Sequence, residues 1–145
     1  MPKSPHLKVV LDTNVFVSGL MGVGSPPRQI IDAWLDDRFT LVTSLYLVAE
    51  LNHVLSYPRI ADRLQVNSTH TEQILAALLS QAVIVPGNVK LPGVTRDPKD
   101  DAVVACAVEG KADRIVSGDQ DLLVLGTYQG IRVVTPAQFA EQLDQ

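Results

Sequence analysis

The sequence predicts an α/β protein: a three-layer α/β/α sandwich around a central parallel sheet. Three observations carry that prediction. Short β-rich runs alternate with helical stretches from one end of the chain to the other. The strand runs are continuously apolar instead of alternating, as expected of strands buried on both faces. No repeat or low-complexity segment interrupts the alternation. With 145 residues, the chain has room for one domain with a substantial core but not for two, so 1–145 is read as a single domain.

The elements follow in order. "HLKVVLD" (6–12) is a strand and "PPRQIIDAWLDD" (26–37) a helix opened by proline. "FTLVTS" (39–44) is a strand and "LYLVAELNHVLSY" (45–57) a helix. "YPRIADRLQVNS" holds a short helix within a connection, and "THTEQILAALLSQ" (69–81) is a longer one. "AVIVP" (82–86) is a strand, followed by a loop, "PGNVKLPGVTR" (86–96), marked by Pro-Gly breakers. "DPKDDAVVACAVEG" (97–110) is a helix and "ADRIVSGD" (112–119) a strand. A short helix at "DLLVL", capped by Asp121, a strand at "IRVVTP" and a final helix at "AQFAEQLDQ" close the chain.

Composition narrows the function classes. Forty-six per cent hydrophobic and nineteen per cent charged residues exclude a disordered chain. The lone Cys106 excludes a disulfide framework and a cysteine-rich zinc site, and points to a reducing cytoplasm. The early apolar run is too short for a signal peptide, and no membrane span is expected. "NST" at 67–69 matches a glycosylation pattern that means little without secretion. The net charge of −4 argues against broad electrostatic binding to nucleic acid.

Acids collect where an open α/β sheet binds its ligands. Asp12 ends the first strand and Asp119 a later one, at the carboxyl edge. In "RDPKDDAVVACA", Asp97 before Pro98 reads as a helix N-cap and Asp100 as a first-turn acid near the positive end of the helix dipole. Asp101 is left over, with Val104 and Ala105 one turn on, so capping does not explain it. Glu50 sits mid-helix with Tyr46, Leu47 and Val54 among its one-turn neighbours. Each acid alone has an ordinary structural explanation. Four from different elements at one edge repel one another, and a divalent cation resolves that conflict. An all-oxygen set selects Mg²⁺ or Mn²⁺, since His6, His53 and His70 are scattered. Magnesium takes its remaining ligands from water and substrate phosphates, which implies phosphate chemistry.

With these residues in place, the chain resembles the PIN-domain ribonucleases, in the VapC-like branch described as toxins of toxin–antitoxin pairs. "VVLDTNVFVSGL" resembles the opening motif, with Asp12, Thr13 and Asn14. "SLYLVAELNHVL" resembles the second, carrying Glu50, and "RDPKDDAVVACAV" the third, with the acid at Asp101 and Asp100 as the alternate. "ADRIVSGDQDLL" resembles the fourth, with Ser117, Asp119 and Asp121, and "GIRVVTPAQFAEQL" is typical of the branch. The resemblance implies a PIN-like, Rossmann-like fold. It also implies hydrolysis of single-stranded RNA to 5′-phosphate and 3′-hydroxyl ends, assisted by one or two divalent ions. Asp12, Asp101, Asp119 and Glu50 would be catalytic and metal-binding residues. Asn14, Thr13, Asp97, Asp100, Ser117 and Asp121 would support them. Arg28, Arg59, Arg63, Arg96, Lys99 and Lys111 are the cations available to hold an RNA backbone. An antitoxin partner and self-association into a dimer or higher oligomer follow from the same resemblance.

Two other readings differ in class. A haloacid dehalogenase-type phosphatase needs a second aspartate where this chain has Asn14. A PIN-fold module that binds RNA or a partner protein but cleaves weakly would be favoured by loss of a core acid, and all four are present.

Overall fold

The computed structural model describes residues 6–22, 24–64 and 68–144. The glycosylation pattern at Asn67 and the side chain of His70 lie outside the described residues. Six strands form one sheet: β1 (Lys8–Leu11), β2 (Thr40–Ser44), β3 (Val83–Val85), β4 (Arg114–Val116), β5 (Thr127–Tyr128) and β6 (Ile131–Val134). Their spatial order is β3-β2-β1-β4-β6-β5, parallel throughout except for β5 against β6.

Eight helices are found among the described residues: α1 (Thr13–Met21), α2 (Pro26–Leu35), α3 (Leu45–Leu55), α4 (Pro58–Leu64), α5 (Ser68–Gln81), α6 (Pro98–Glu109), α7 (Gln120–Leu123) and α8 (Pro136–Leu143). They start where local chemistry says they should. Ser25 accepts from the Arg28 amide at the head of α2, behind two prolines. Thr135 and Gln138 form a reciprocal capping box on α8. Asp97 accepts from the Lys99 amide ahead of α6, with Pro98 at the first helical position.

Continuous apolar strands divide their side chains between the two faces. Val9, Leu11, Leu41, Val116 and Val134 pack with α1, α2, α3, α5 and α8. Val10, Val42, Ile115 and Val133, the alternate positions, pack with α6 and Leu122 of α7. That division makes the three layers. Trp34 and Phe16 meet edge-on in the first core layer, as do Phe39 and Phe139. No helix among the described residues is long and apolar enough to cross a membrane.

Two elements are absent from the sequence reading. "TNVFVSGLM" forms α1 despite its β-branched and aromatic residues, because Val15, Phe16, Val17 and Leu20 are buried and tertiary packing outweighs their weak helix propensity. Gly19 lets α2 approach closely: a Cβ there would collide with the Ile31 side chain and stand 2.9 Å from the Pro27 carbonyl oxygen. The second is the two-residue strand β5, turned back on β6 through Gln129 (φ 49°) and Gly130 (φ 83°). Two successive positive φ angles are those of a type I′ hairpin turn.

Candidate metal centre at the sheet switch point

The chain winds outward from β1 to β2 and β3, then returns to the other side of β1 with β4 and β6. From β1 it passes to α1 on one face, and from β4 to α7 on the other. A crevice therefore opens beyond the carboxyl ends of β1 and β4, the place where open α/β sheets take ligands.

Asp12 follows β1 directly, and its amide continues the ladder to the Val116 carbonyl at 3.0 Å. Its carboxylate makes no capping hydrogen bond to α1. Instead it accepts the Ser117 hydroxyl at 2.7 Å. Ser117 is fully buried and its oxygen also accepts the Asp119 amide at 2.9 Å. One hydroxyl thus ties the end of β1 to the turn after β4. Burial raises the Asp12 carboxyl above the usual range. The Ser117 hydroxyl opposes that shift, the Asp119 charge adds to it, and the Thr13 and Asn14 amides pull the other way without cancelling it.

Asp100, in the first turn of α6, is 5% exposed. Burial, then the charges of Asp119 and Asp12, push its carboxyl up to about 7. Its Oδ2 is buried with no hydrogen-bond partner. Asp100, Asp119 and Asp121 each present a carboxylate oxygen within 4.8 Å of the others. These residues fit a divalent cation: the donors are all hard oxygens, one buried oxygen is unpartnered, and the carboxylates repel one another as they stand. Asp119, and not Asp121, caps α7, accepting the Asp121 amide at 2.9 Å. The Asp121 side chain is thereby left for the cluster.

Asp101, expected as the third acid, is placed differently. It lies outside the acid cluster, with its carboxylate taken up by the 86–96 loop. It accepts the Gly93 amide at 3.0 Å, the Thr95 amide at 2.6 Å and the Thr95 hydroxyl at 2.8 Å. Burial would raise its pKa, but those hydrogen bonds outweigh it and hold the carboxyl below the usual value. Of the two adjacent acids, Asp100 is the one that stands with Asp119 and Asp121. Thr95, which the sequence reading missed, is the partner that makes Asp101 structural.

Glu50 lies on α3 outside the acid cluster, and Lys99 Nζ stands 3.4 Å from its Oε1. Arg96 reaches across from the loop before α6 and donates to Asp121 Oδ1 through Nε at 3.1 Å and through a terminal nitrogen at 2.7 Å. Two of the six cations expected to hold a substrate backbone, Arg96 and Lys99, are therefore paired with acids, Asp121 and Glu50. Arg59 and Arg63 lie exposed on α4, and Asn14 is exposed in the first turn of α1. Asp97 is the α6 cap, and its charge adds to the pressure on Asp100. Arg28 lies at the corner between α1 and α2, donating to the Gly19 carbonyl and to Asp32, each at 3.3 Å. Cys106 is buried, its thiol pushed up to about 12 by desolvation, which suits a packing residue and no nucleophile.

Comparison with known proteins agrees with the fold. The PIN domain family profile matches residues 8–121. The protein MJ1680 of Methanocaldococcus jannaschii is 32% identical over 147 residues, covering 96% of this chain and 93% of its own. Among solved structures, VapBC2 from Rickettsia felis, bound to a DNA fragment from their promoter, has a TM-score of 0.59 at 15% identity, covering 89% of this chain and 98% of its own. FitAcB from Neisseria gonorrhoeae has a TM-score of 0.58 at 19% identity with the same two coverages. PAE2754 from Pyrobaculum aerophilum also has a TM-score of 0.58, at 14% identity, covering 97% of this chain and 98% of its own. With most of its length matched by that profile, and its switch point lined by the acids described above, the chain belongs to the PIN domain family.

Proposed function

We propose that this protein is a divalent-metal-dependent endoribonuclease that hydrolyses RNA phosphodiester bonds to 5′-phosphate and 3′-hydroxyl ends. The observation that carries the reading is Asp100: a buried carboxylate with an unpartnered oxygen, pressed by Asp12 and Asp119 at the sheet switch point. A purely structural acid would have found a donor, as Asp101 has. The two ion pairs of the region go to Asp121 and Glu50. Asp12, Asp100 and Asp119 would hold Mg²⁺ or Mn²⁺, one ion or two, with Asp121 and Glu50 beside them. A bound ion of this kind supplies positive charge against the developing phosphorane oxygens and acidifies water.

The chain's own residues set up the reaction. Ser117 fixes the Asp12 carboxylate and the backbone that delivers Asp119. Glu50 would orient the attacking water and accept its proton. Arg96 and Lys99 exchange their acid partners for substrate phosphates, which answers how an acidic protein holds RNA. The family and the likeness in fold to VapBC2 and FitAcB support a role as the toxin of a toxin–antitoxin pair, acting in the cytoplasm. An antitoxin would cover the acids, and the protein would self-associate as a homodimer or higher oligomer.

End-labelled RNA tests the reading. Cleavage in Mg²⁺ or Mn²⁺, lost in EDTA and in Asp12→Asn, with 5′-phosphate and 3′-hydroxyl products, is the expected result. A 2′,3′-cyclic phosphate product would signal attack by the RNA's own hydroxyl and overturn the hydrolytic account. A folded, metal-loaded protein that cleaves none of several RNAs would leave the weakly cleaving PIN-fold binding module as the better reading.

A further inference from the structure

The chain has three phenylalanines, one tryptophan and three tyrosines. Phe16, Phe39, Phe139 and Trp34 are core residues. Only Tyr46 and Tyr57, at 50% and 46% exposure, stand out among the described residues as exposed aromatics. They do not lie at random. Positions 46, 50 and 53 are spaced i, i+4, i+7, so Tyr46, Glu50 and His53 share one stripe of α3. After the helix ends at Ser56, Tyr57 folds back on that stripe, its ring centroid 5.1 Å from that of the exposed His53 in an edge-on contact. The acid of the stripe, Glu50, is flanked by rings on both sides.

Cations line the same track. Lys99 reaches Glu50 at 3.4 Å and lies in the neighbourhood of Tyr57. Arg59, exposed, follows Tyr57 by two residues. Exposed rings interleaved with positive charge beside a carboxylate centre are what a single strand needs: faces for its bases and partners for its phosphates. A docked amphipathic helix would instead want an unbroken aliphatic stripe, and Glu50 interrupts this one.

We propose that this stripe of α3 is a base-stacking track for single-stranded RNA, with Tyr46 and Tyr57 each taking one nucleobase on either side of Glu50. The identity of the nucleic acid rests on the endoribonuclease reading; the stacking does not. Seven residues at 1.5 Å rise put Tyr46 about 10 Å from His53 along the helix. Neighbouring stacked bases are about 3.4 Å apart, so the bases on the two rings are not stacked on each other, and the strand is splayed across Glu50. A duplex, whose bases are paired and stacked inside, has no faces to offer these rings.

The test uses the full chain carrying Asp12→Asn, in EDTA, so that binding is read without cleavage. Fluorescence anisotropy of a labelled single-stranded oligoribonucleotide gives the affinity. Adding Tyr57→Ala or Tyr46→Ala should weaken binding by roughly 5- to 100-fold each. Tyr57→Phe and Tyr46→Phe, which keep the ring, should stay within about twofold. With an oligomer of abasic nucleotides, the alanine losses should vanish. Unchanged affinity in the alanine variants overturns the proposal. So does an equal loss with the abasic oligomer, because the tyrosines would then act on the backbone or on the fold. If the wild type fails to cleave RNA but the ring-dependent loss persists, the nuclease reading falls and the stacking track stands.

Discussion

The two faces of the first turn of α6 carry adjacent aspartates with opposite fates. On the face toward the 86–96 loop, Asp101 accepts three hydrogen bonds from Gly93 and Thr95. Eight residues on, Glu109 accepts the Gly87 and Val89 amides at 3.3 and 3.1 Å. The two acids pin both ends of one loop, and Asp101 has its pKa lowered as a result. On the face toward the sheet switch point, Asp100 has an oxygen with no donor and two carboxylates pressing on it. A hydrogen-bonded acid holds structure; an acid crowded by other acids stores a repulsion that only a proton or a metal ion relieves.

The sharpest way to break this comparison is to neutralise each aspartate in turn. Asp100→Asn should lower RNA cleavage by well over the roughly 10- to 100-fold expected for residues that merely orient ligands. Asp101→Asn, which keeps an oxygen for the loop amides, should cleave close to wild type. Equal losses in both variants would erase the distinction between the two faces.

The pH dependence of stability comes next. In the folded protein Asp100 holds its proton up to about 7, whereas its ordinary value is 3.8. Between those values the folded state binds a proton that the unfolded chain has lost, so metal-free stability falls as pH rises through that window. The total change is about 2–4 kcal/mol, with the full penalty above pH 7. Thermal melts in EDTA should show a lower Tm at pH 8 than at pH 5, and Asp100→Asn should flatten much of that difference. A wild-type protein whose metal-free Tm rises over the same range would contradict the repulsive account.

Ser117→Ala probes the tie between β1 and β4. It strips Asp12 of a buried donor, so it should cost about 1–3 kcal/mol and reduce cleavage by roughly tenfold, without changing the metal requirement. The smallest effect belongs to the structural face. Asp101→Ala should lower the Tm by a few degrees and speed proteolysis within 86–96, while a loop that resists protease as before would show that the clamp is idle.

Much of this arrangement was legible in the sequence because strand ends and caps are local chemistry. Asp12 after "KVVL", Asp119 after "RIVSG" and the Asp97-Pro98 cap could be placed from their neighbours alone. The choice between Asp100 and Asp101 could not. Both lie in the first turn, a rotation of about 100° apart, and which one faces the switch point depends on how α6 rolls against the sheet. The apolar neighbours of Asp101 suggested a buried acid, but Val104 is also one turn from Asp100, whose other one-turn neighbour, Val103, is buried as well. Arg28 misled for a related reason: its partners, the Gly19 carbonyl and Asp32, become neighbours only once α1 has formed and turned into α2. Helix α1 itself was hidden by residues of weak helix propensity that the core holds in place.

A divalent cation held at the face of Asp100 and not at that of Asp101 is the central expectation, and Mn²⁺ binding measures it without any substrate. Isothermal titration of Mn²⁺ into wild type, Asp100→Asn and Asp101→Asn, with Mg²⁺ competition, should give saturable binding to wild type and Asp101→Asn and a large loss in Asp100→Asn. Undiminished binding in Asp100→Asn, or a loss confined to Asp101→Asn, would contradict it.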